Sequence, residues 1–271
     1  MTVRTPTVLT IAGTDPSGGA GISADLKTFS ALGAFGTVVV TAVVTQNTQG
    51  VAAIHQLDGA TVAGQLTNLL DDVHVDAVKI GMLGTAEVTR AVARVLRERT
   101  TGPVVLDPVM VATSGHRLLP AEAVEALRDA LIPLADLITP NLPEAADLLG
   151  VPEATGMCDM ARQARALAQL CPGVLLKGGH LDGPESTDLL IVDDRLTEFD
   201  EPRIATRNTH GTGCTLSSAI AALRPQRDSW VDAVRDAKTY LTGALRAADD
   251  LSIGSGHGPV HHFWRAWSSQ T

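Results

Sequence analysis

Short β-branched runs alternate with Ala- and Leu-rich stretches whose apolar positions recur every three to four residues. The pattern predicts strands over 8–12, 37–44, 51–57, 77–80, 104–106, 137–139, 174–176 and 189–192. It predicts helices over 22–32, 61–72, 87–99, 121–130, 143–149, 157–170, 212–223 and 230–249. Strand–helix alternation of this kind implies an α/β fold with a mainly parallel sheet covered on both faces. The pair 37–44 and 51–57 departs from it: a short polar connection with one glycine joins them, and no helix intervenes. A small flap beside the main sheet and an antiparallel sheet edge both fit that pair. No Pro/Ser-rich linker and no repeat divides the chain, so residues 1–271 read as a single domain.

Composition narrows the function. The chain is 45% hydrophobic over 271 residues, enough for a large core, and 21 basic against 30 acidic residues leave a net charge of −9. Such an acidic surface argues against nucleic acid and anionic membranes as partners, which need clustered Lys and Arg. It leaves small anions open, because a few backbone N–H groups and one Lys can hold a phosphate. Cys158, Cys171 and Cys214 show no paired spacing, so neither a disulfide framework nor a zinc ribbon is expected. No leader-like apolar run opens the sequence, and none approaches the roughly 20 residues of a membrane span. The expectation is a cytoplasmic protein.

Two glycine-rich segments carry the chemistry. In Gly13-Thr14-Asp15-Pro16-Ser17-Gly18-Gly19-Ala20-Gly21, the Gly13–Gly18 spacing fits a phosphate-binding P-loop, but Gly19 and Ala20 stand where Lys and Ser/Thr are required. Residues 19–24 also match G-x-G-x-x-A, yet no Asp or Glu lies between Asp25 and Asp58 to hold a dinucleotide ribose. What remains is a tight turn that opens a helix, with close ligand approach or simple structure as its purpose. The second segment, Asn208-Thr209-His210-Gly211-Thr212-Gly213-Cys214-Thr215, precedes another helix. Glycines around Thr212 free N–H groups at a positive helix end, which makes an anion site. Cys214 in that first turn is expected to have a lowered pKa and thiolate character; a small buried cysteine is the plainer alternative.

Asp107 and Glu144 follow predicted strands, where ligands collect in parallel sheets, and suit a Mg²⁺ that keeps most of its water. A turn-starting Asp and a helix N-terminal Glu are the structural alternatives. Lys177 ends a strand before Gly178 and Gly179, placed to meet phosphate oxygens or to lie along the surface. His257, His261 and His262 match no zinc spacing and read as a packed or solvated tail.

The segments TIAGTDPSGGAGISADLKTFSALG, TQNTQGV, KIGML, LDPVM, LITPNLPEA, LLKGGH and NTHGTGCTLSSA together resemble the hydroxymethylpyrimidine/phosphomethylpyrimidine kinases of thiamin biosynthesis, in the ribokinase-like superfamily. The resemblance runs from about Thr7 to His262. It implies a three-layer α/β/α fold, ATP, Mg²⁺ and a homodimer. It also implies phosphorylation of 4-amino-5-hydroxymethyl-2-methylpyrimidine to the monophosphate and then the diphosphate. By the same resemblance Asp25 and Gln46 would hold the aminopyrimidine ring, with Gly13, Val44 and Met82 in close or apolar contact. Asp107 and Glu144 would organise Mg²⁺. Asn141, Lys177, Gly179 and Thr209 would line the ATP side. Gly211, Thr212, Gly213 and the Cys214 N–H would surround the transferring phosphoryl group, with a Cys214 thiolate as proton acceptor. Lys238 would meet the pyrimidine-bound phosphate in the second step. Where the sugar kinases of the superfamily carry Asp, this chain has Cys214. A pyridoxal kinase and a non-catalytic ligand sensor are the competing functions.

Overall fold

The computed structural model describes residues 4–110 and 120–267; residues 1–3, 111–119 and 268–271 of the expected domain lie outside them. Ten strands and eight α-helices are described: β1 (Thr7–Ala12), α1 (Gly21–Ala31), β2 (Phe35–Val40), β3 (Ala42–Asn47), β4 (Gly50–Gln56), α2 (Gly59–Leu70), β5 (Ala77–Ile80), α3 (Ala86–Glu98), β6 (Val104–Leu106), α4 (Ala121–Ala126), β7 (Leu137–Ile138), α5 (Leu142–Leu149), α6 (Met157–Leu167), β8 (Gly173–Lys177), β9 (Glu185–Val192), β10 (Arg195–Pro202), α7 (Thr212–Leu223) and α8 (Trp230–Arg246). Eight strands form one sheet in the order β10-β9-β8-β7-β6-β5-β1-β2. The run β8 to β2 is parallel; β9 is antiparallel to β8 and to β10.

Strand side chains alternate between two cores, as a period of two requires. Leu9, Ile11, Val78, Ile80, Leu106 and Leu176 pack with helices α2 to α6. Val8, Ala77, Val105 and Leu175 pack on the other face with Phe29 of α1, Ile220 of α7 and Tyr240 of α8. These are the expected three layers. Because the parallel strands share one direction, their carboxyl ends open on one edge, where the connections carry the polar residues.

The segment expected as one strand over 37–44 is two. At Thr41 the N–H donates to Ala12 O and Oγ1 to Met82 O, and the chain turns out of the main sheet. β2 stays at the sheet edge, while β3 pairs with β4 as a separate two-stranded flap. The flap reading therefore holds for β3–β4. Sequence pattern missed β10, whose RLTEFDEP alternates charge along an edge and buries only Phe199. Its hairpin turns through Asp193 and Asp194, both at positive φ (51° and 58°), the geometry of a tight two-residue turn.

Candidate functional site

A cavity of about 720 Å³ runs along the carboxyl edge of the sheet, from the flap to the start of β9 and the end of β10. Gly13, Val44, Gln46 and Met82 line its flap end; Asp107, Asn141, Glu144 and Lys177 its middle; Gly179 and Lys238 its far end. Thr209, Gly211, Thr212, Gly213 and Cys214 form its wall. Of the residues expected at the site, only Asp25 stands outside this lining.

Two glycine-rich turns meet here, and each packs against the other's backbone. Gly211 has φ +77°, and a Cβ on it would lie 1.7 Å from Gly19 O; a Cβ on Gly19 would lie 2.4 Å from His210 Cδ2. Gly211 also caps α7 and accepts from Thr215 N–H. The N–H groups of Gly213 and Cys214 have no acceptor among the described residues, as the first turn of a helix leaves them. The other turn is different. Asp15 bends back into it and accepts from Ser17 N–H (2.8 Å), Gly19 N–H (3.1 Å) and Ala20 N–H (2.7 Å).

Two charges lie beside the free N–H groups, and a third, Glu144, lies near that pair. Lys177 Nζ lies 3.0 Å from Asp107 Oδ1, and Asp107 also accepts from Thr139 and Ser217 hydroxyls. A Cβ placed on Gly213 would be 3.4 Å from Lys177 Nζ and 3.6 Å from Asp107 Oδ2, so the helix start and the pair are neighbours. Glu144 and Asn141 form a reciprocal cap on α5: Glu144 Oε2 accepts from Asn141 N–H, and Asn141 Oδ1 from Glu144 N–H. Burial, with Asp107 pushing the same way and Lys177 pulling back, raises the Glu144 carboxyl to about 7. Burial opposes the Lys177 charge, but Asp107 and Glu144 hold its pKa above the ordinary lysine value. Among the described residues no three His, Cys, Asp or Glu converge as a protein-only metal site. Two carboxylates and excess negative charge suit a hard cation that keeps several waters.

The surroundings of Cys214 run against the expected lowering of its pKa. The thiol faces the cavity only in part, and its surroundings push its pKa up to about 11. Burial is the largest cause; Asp25 and Asp107 add to it, against Lys79 and the Gly21 N–H. The helix end is too small an effect to offset burial, to which the two nearby carboxylates add. The thiol is protonated at neutral pH.

Asp25 is also corrected. It is fully buried between β1, β5, α1 and α7, where Thr10 and Ser218 hydroxyls (both 2.6 Å) and Lys79 Nζ (2.9 Å) take its oxygens. That leaves it no edge toward a ligand. Burial opposes the Lys79 charge, yet Asp25 keeps it above the usual lysine range. Lys79 does reach the cavity wall, a residue the sequence reading passed over although a lone Lys in the apolar strand Ala-Val-Lys-Ile was visible. Lys238 is held by Asp188 Oδ2 (2.7 Å) and Ser186 O (2.7 Å), at the end of the cavity away from the flap. Asp15 and His210, 2.8 Å apart, were likewise not singled out. His261 and His262 are buried, as a packed tail requires; burial pushes His262 down to about 3, and its Nε2 lies 3.1 Å from Thr215 Oγ1.

The family described as phosphomethylpyrimidine kinase matches residues 15–261 of the chain. The hydroxymethylpyrimidine/phosphomethylpyrimidine kinase of Escherichia coli (strain K12) is 54% identical over 260 residues, covering 96% of this chain and 98% of that protein. Among solved structures, an ADP complex of Bacillus subtilis pyridoxal kinase superposes with TM-score 0.88 at 35% identity, over 96% of this chain and 98% of that one. Phosphomethylpyrimidine kinase from Clostridium difficile 630 gives TM-score 0.79 at 41% identity, over 89% and 99%.

Proposed function

Since the chain belongs to the phosphomethylpyrimidine kinase family, we propose that the cavity at the carboxyl edge of its sheet is where that family's phosphoryl transfer takes place. The protein is a phosphotransferase of thiamin biosynthesis with a ribokinase-like fold. It uses ATP to phosphorylate 4-amino-5-hydroxymethyl-2-methylpyrimidine, first to the monophosphate and then to the diphosphate.

The single observation that carries the site assignment is the placing of the Lys177–Asp107 pair, with Glu144 near it, beside the unpartnered N–H groups at the start of α7. Those N–H groups and Lys177 hold the oxygens of the transferring group. Asn141, Gly179 and Thr209 line the nucleotide side. The ring sits under the flap against Gly13, Val44, Gln46 and Met82, its hydroxymethyl oxygen directed toward the anion site. Asp107 and Glu144 would hold Mg²⁺, which would neutralise phosphate charge. The transition state is loose, so positioning and charge stabilisation dominate and the alcohol proton can leave late, without a thiolate. Cys214 then acts through its N–H and its packing. Its sulfur does not act as a base at neutral pH, and Lys238 supports the nucleotide end through Asp188 rather than meeting the pyrimidine phosphate.

Assembly as a homodimer is part of the same proposal. Among the described residues no helix is long and apolar enough to cross a membrane, in keeping with the cytoplasmic location we propose. A second reading, pyridoxal kinase activity, is favoured by the B. subtilis likeness. Incubation with ATP, Mg²⁺ and either the hydroxymethylpyrimidine or pyridoxal, with products weighed by mass spectrometry, tests both. A monophosphate followed by a diphosphate is expected; pyridoxal phosphate alone would reverse the order of the readings.

A further inference from the structure

Thr14 and Asp15 are neighbours in the first glycine-rich turn and are tied to different parts of the cavity wall. Thr14 holds the flap: its N–H donates to Ala42 O (2.9 Å), and its Oγ1 accepts from Val44 N–H (2.9 Å). Asp15 holds the other glycine-rich turn, with its Oδ2 2.8 Å from His210 Nε2. The Asp15 and His210 side chains are 1% and 15% exposed, and neither has a part in the transfer described above.

The rest of the carboxylate is taken up by its own turn. Oδ1 accepts from the Ser17 N–H (2.8 Å) and hydroxyl (2.7 Å), and Oδ2 from Gly19 N–H (3.1 Å) and Ala20 N–H (2.7 Å). Burial pushes the Asp15 carboxyl up, but donors led by His210 hold it well below the usual range, so it is ionised at neutral pH. An ionised carboxylate only accepts, so His210 Nε2 carries the proton between them.

His210 immediately precedes Gly211, the residue that caps α7. Its backbone is fixed from the other side, where its N–H donates to Gly258 O (3.1 Å). Its ring crosses the first turn in close contact: a Cβ on Gly19 would lie 2.4 Å from His210 Cδ2, and one on Gly211 1.7 Å from Gly19 O. Gly213 and Cys214, whose N–H groups are open, follow within one helical turn. A shift of His210 is therefore passed directly to those N–H groups.

We propose that Asp15, acting through His210, is a positioning residue for the transfer: it fixes the entrance of α7 against the turn that holds the flap, and so keeps the open N–H groups in register with the acceptor alcohol. The proposal rests on the assignment of those N–H groups to the transferring phosphoryl group. A misplacement of about 1 Å at a reacting centre costs on the order of 10²-fold in rate. Because the loss falls on the transition state, it is read in kcat rather than in KM.

The test measures kcat and both KM values, for ATP and the hydroxymethylpyrimidine, in wild type, His210→Gln and His210→Met. The first variant can place an amide N–H where Nε2 stands; the second has similar bulk and no donor. In His210→Met kcat is expected to fall about 10–100-fold while both KM values stay within about threefold. His210→Gln should restore kcat to within about fivefold of wild type. Wild-type kcat in His210→Met overturns the proposal. So does a His210→Gln no faster than His210→Met, which would make packing of the ring the cause. A fall in kcat matched by an equal loss of folded enzyme in circular dichroism leaves a structural role only and overturns it too. Should His210→Met fail to fold, His210→Asn, whose shorter amide stops short of Asp15, takes its place with the same outcomes. A wild type that phosphorylates neither the pyrimidine nor pyridoxal overturns the functional reading together with this one, whereas an unaffected variant of an active enzyme overturns this one alone.

Discussion

The turn over residues 13–21 and the turn over residues 208–215 look alike in sequence: glycines, a small polar residue and then a helix. In space they differ in who holds their N–H groups. The first turn spends three of them on its own Asp15, closing the loop into a ring of bonds around a buried carboxylate. The second has no acidic residue of its own, and the N–H groups of Gly213 and Cys214 stay open toward Lys177 and Asp107. A glycine-rich helix entrance is thus a nest for an anion only when the chain has not already supplied the anion. The first turn is a fixture and the second a socket, and they are pressed together at Gly19 and Gly211.

The largest expected effect is at that contact. Gly211→Ala drives a Cβ into Gly19 O at a positive φ. It should cost about 3 kcal/mol or more of stability and leave background turnover. Gly18→Ala has a comparable φ of +78°, but its Cβ meets only the movable Lys27 Nζ. About 1–2 kcal/mol and several-fold activity are expected there. Thermal unfolding of the pair measures the difference; equal losses would erase the distinction drawn between the turns.

Next comes Lys177→Met, which takes the cation from in front of the socket. A fall of about 10²–10³ in kcat is expected, the size of a lost transition-state donor. A fall under tenfold in steady-state kinetics would remove Lys177 from the transfer.

Glu144→Gln keeps a reciprocal cap on α5 and deletes only charge. The folded carboxyl titrates near 7 against an ordinary 4.5, so the native state binds the extra proton and wild-type stability falls as pH rises between those values. The variant should therefore be more stable than wild type at pH 8, by about 1–3 kcal/mol, and no more stable at pH 4. Melting curves at both pH values check the sign.

The smallest effect is reserved for Cys214→Ser, within about tenfold of wild-type turnover at pH 7.5, below the 10²–10⁴ of a lost general base. Wild-type turnover should also be flat from pH 7.5 to 9. A tenfold rise per pH unit there would show a thiolate titrating toward 11 and would restore the base role.

Much of this was legible from pattern. Periodicity located the elements of the parallel sheet because buried strands and amphipathic helices write their burial into apolar spacing. β10 escaped because an edge strand with one buried residue has little to write. Fifteen of the sixteen expected site residues do line one cavity, since the carboxyl edge of a parallel sheet gathers what its connections carry. Asp25 and Cys214 failed for a shared reason. Their chemistry is set by the fold: Lys79 and Ser218, distant in the chain, for the first, and burial, with Asp25 and Asp107 adding to it, for the second. No spacing rule within one segment reports such partners. Asp15 was hidden in plain sight: its partner His210 lies far along the chain, and only the fold brings the two together.

The flap has one more attachment. Its tip, Thr48, accepts from the His257 and Gly256 N–H groups, and Gln49 donates to Ser255. The flap is thus synthesised early but clasped by a segment made roughly two hundred residues later, an interval of about 10–40 s at the usual rate of translation. A nascent chain that has not yet reached Ser255 therefore carries most of the sheet with an unclasped pocket.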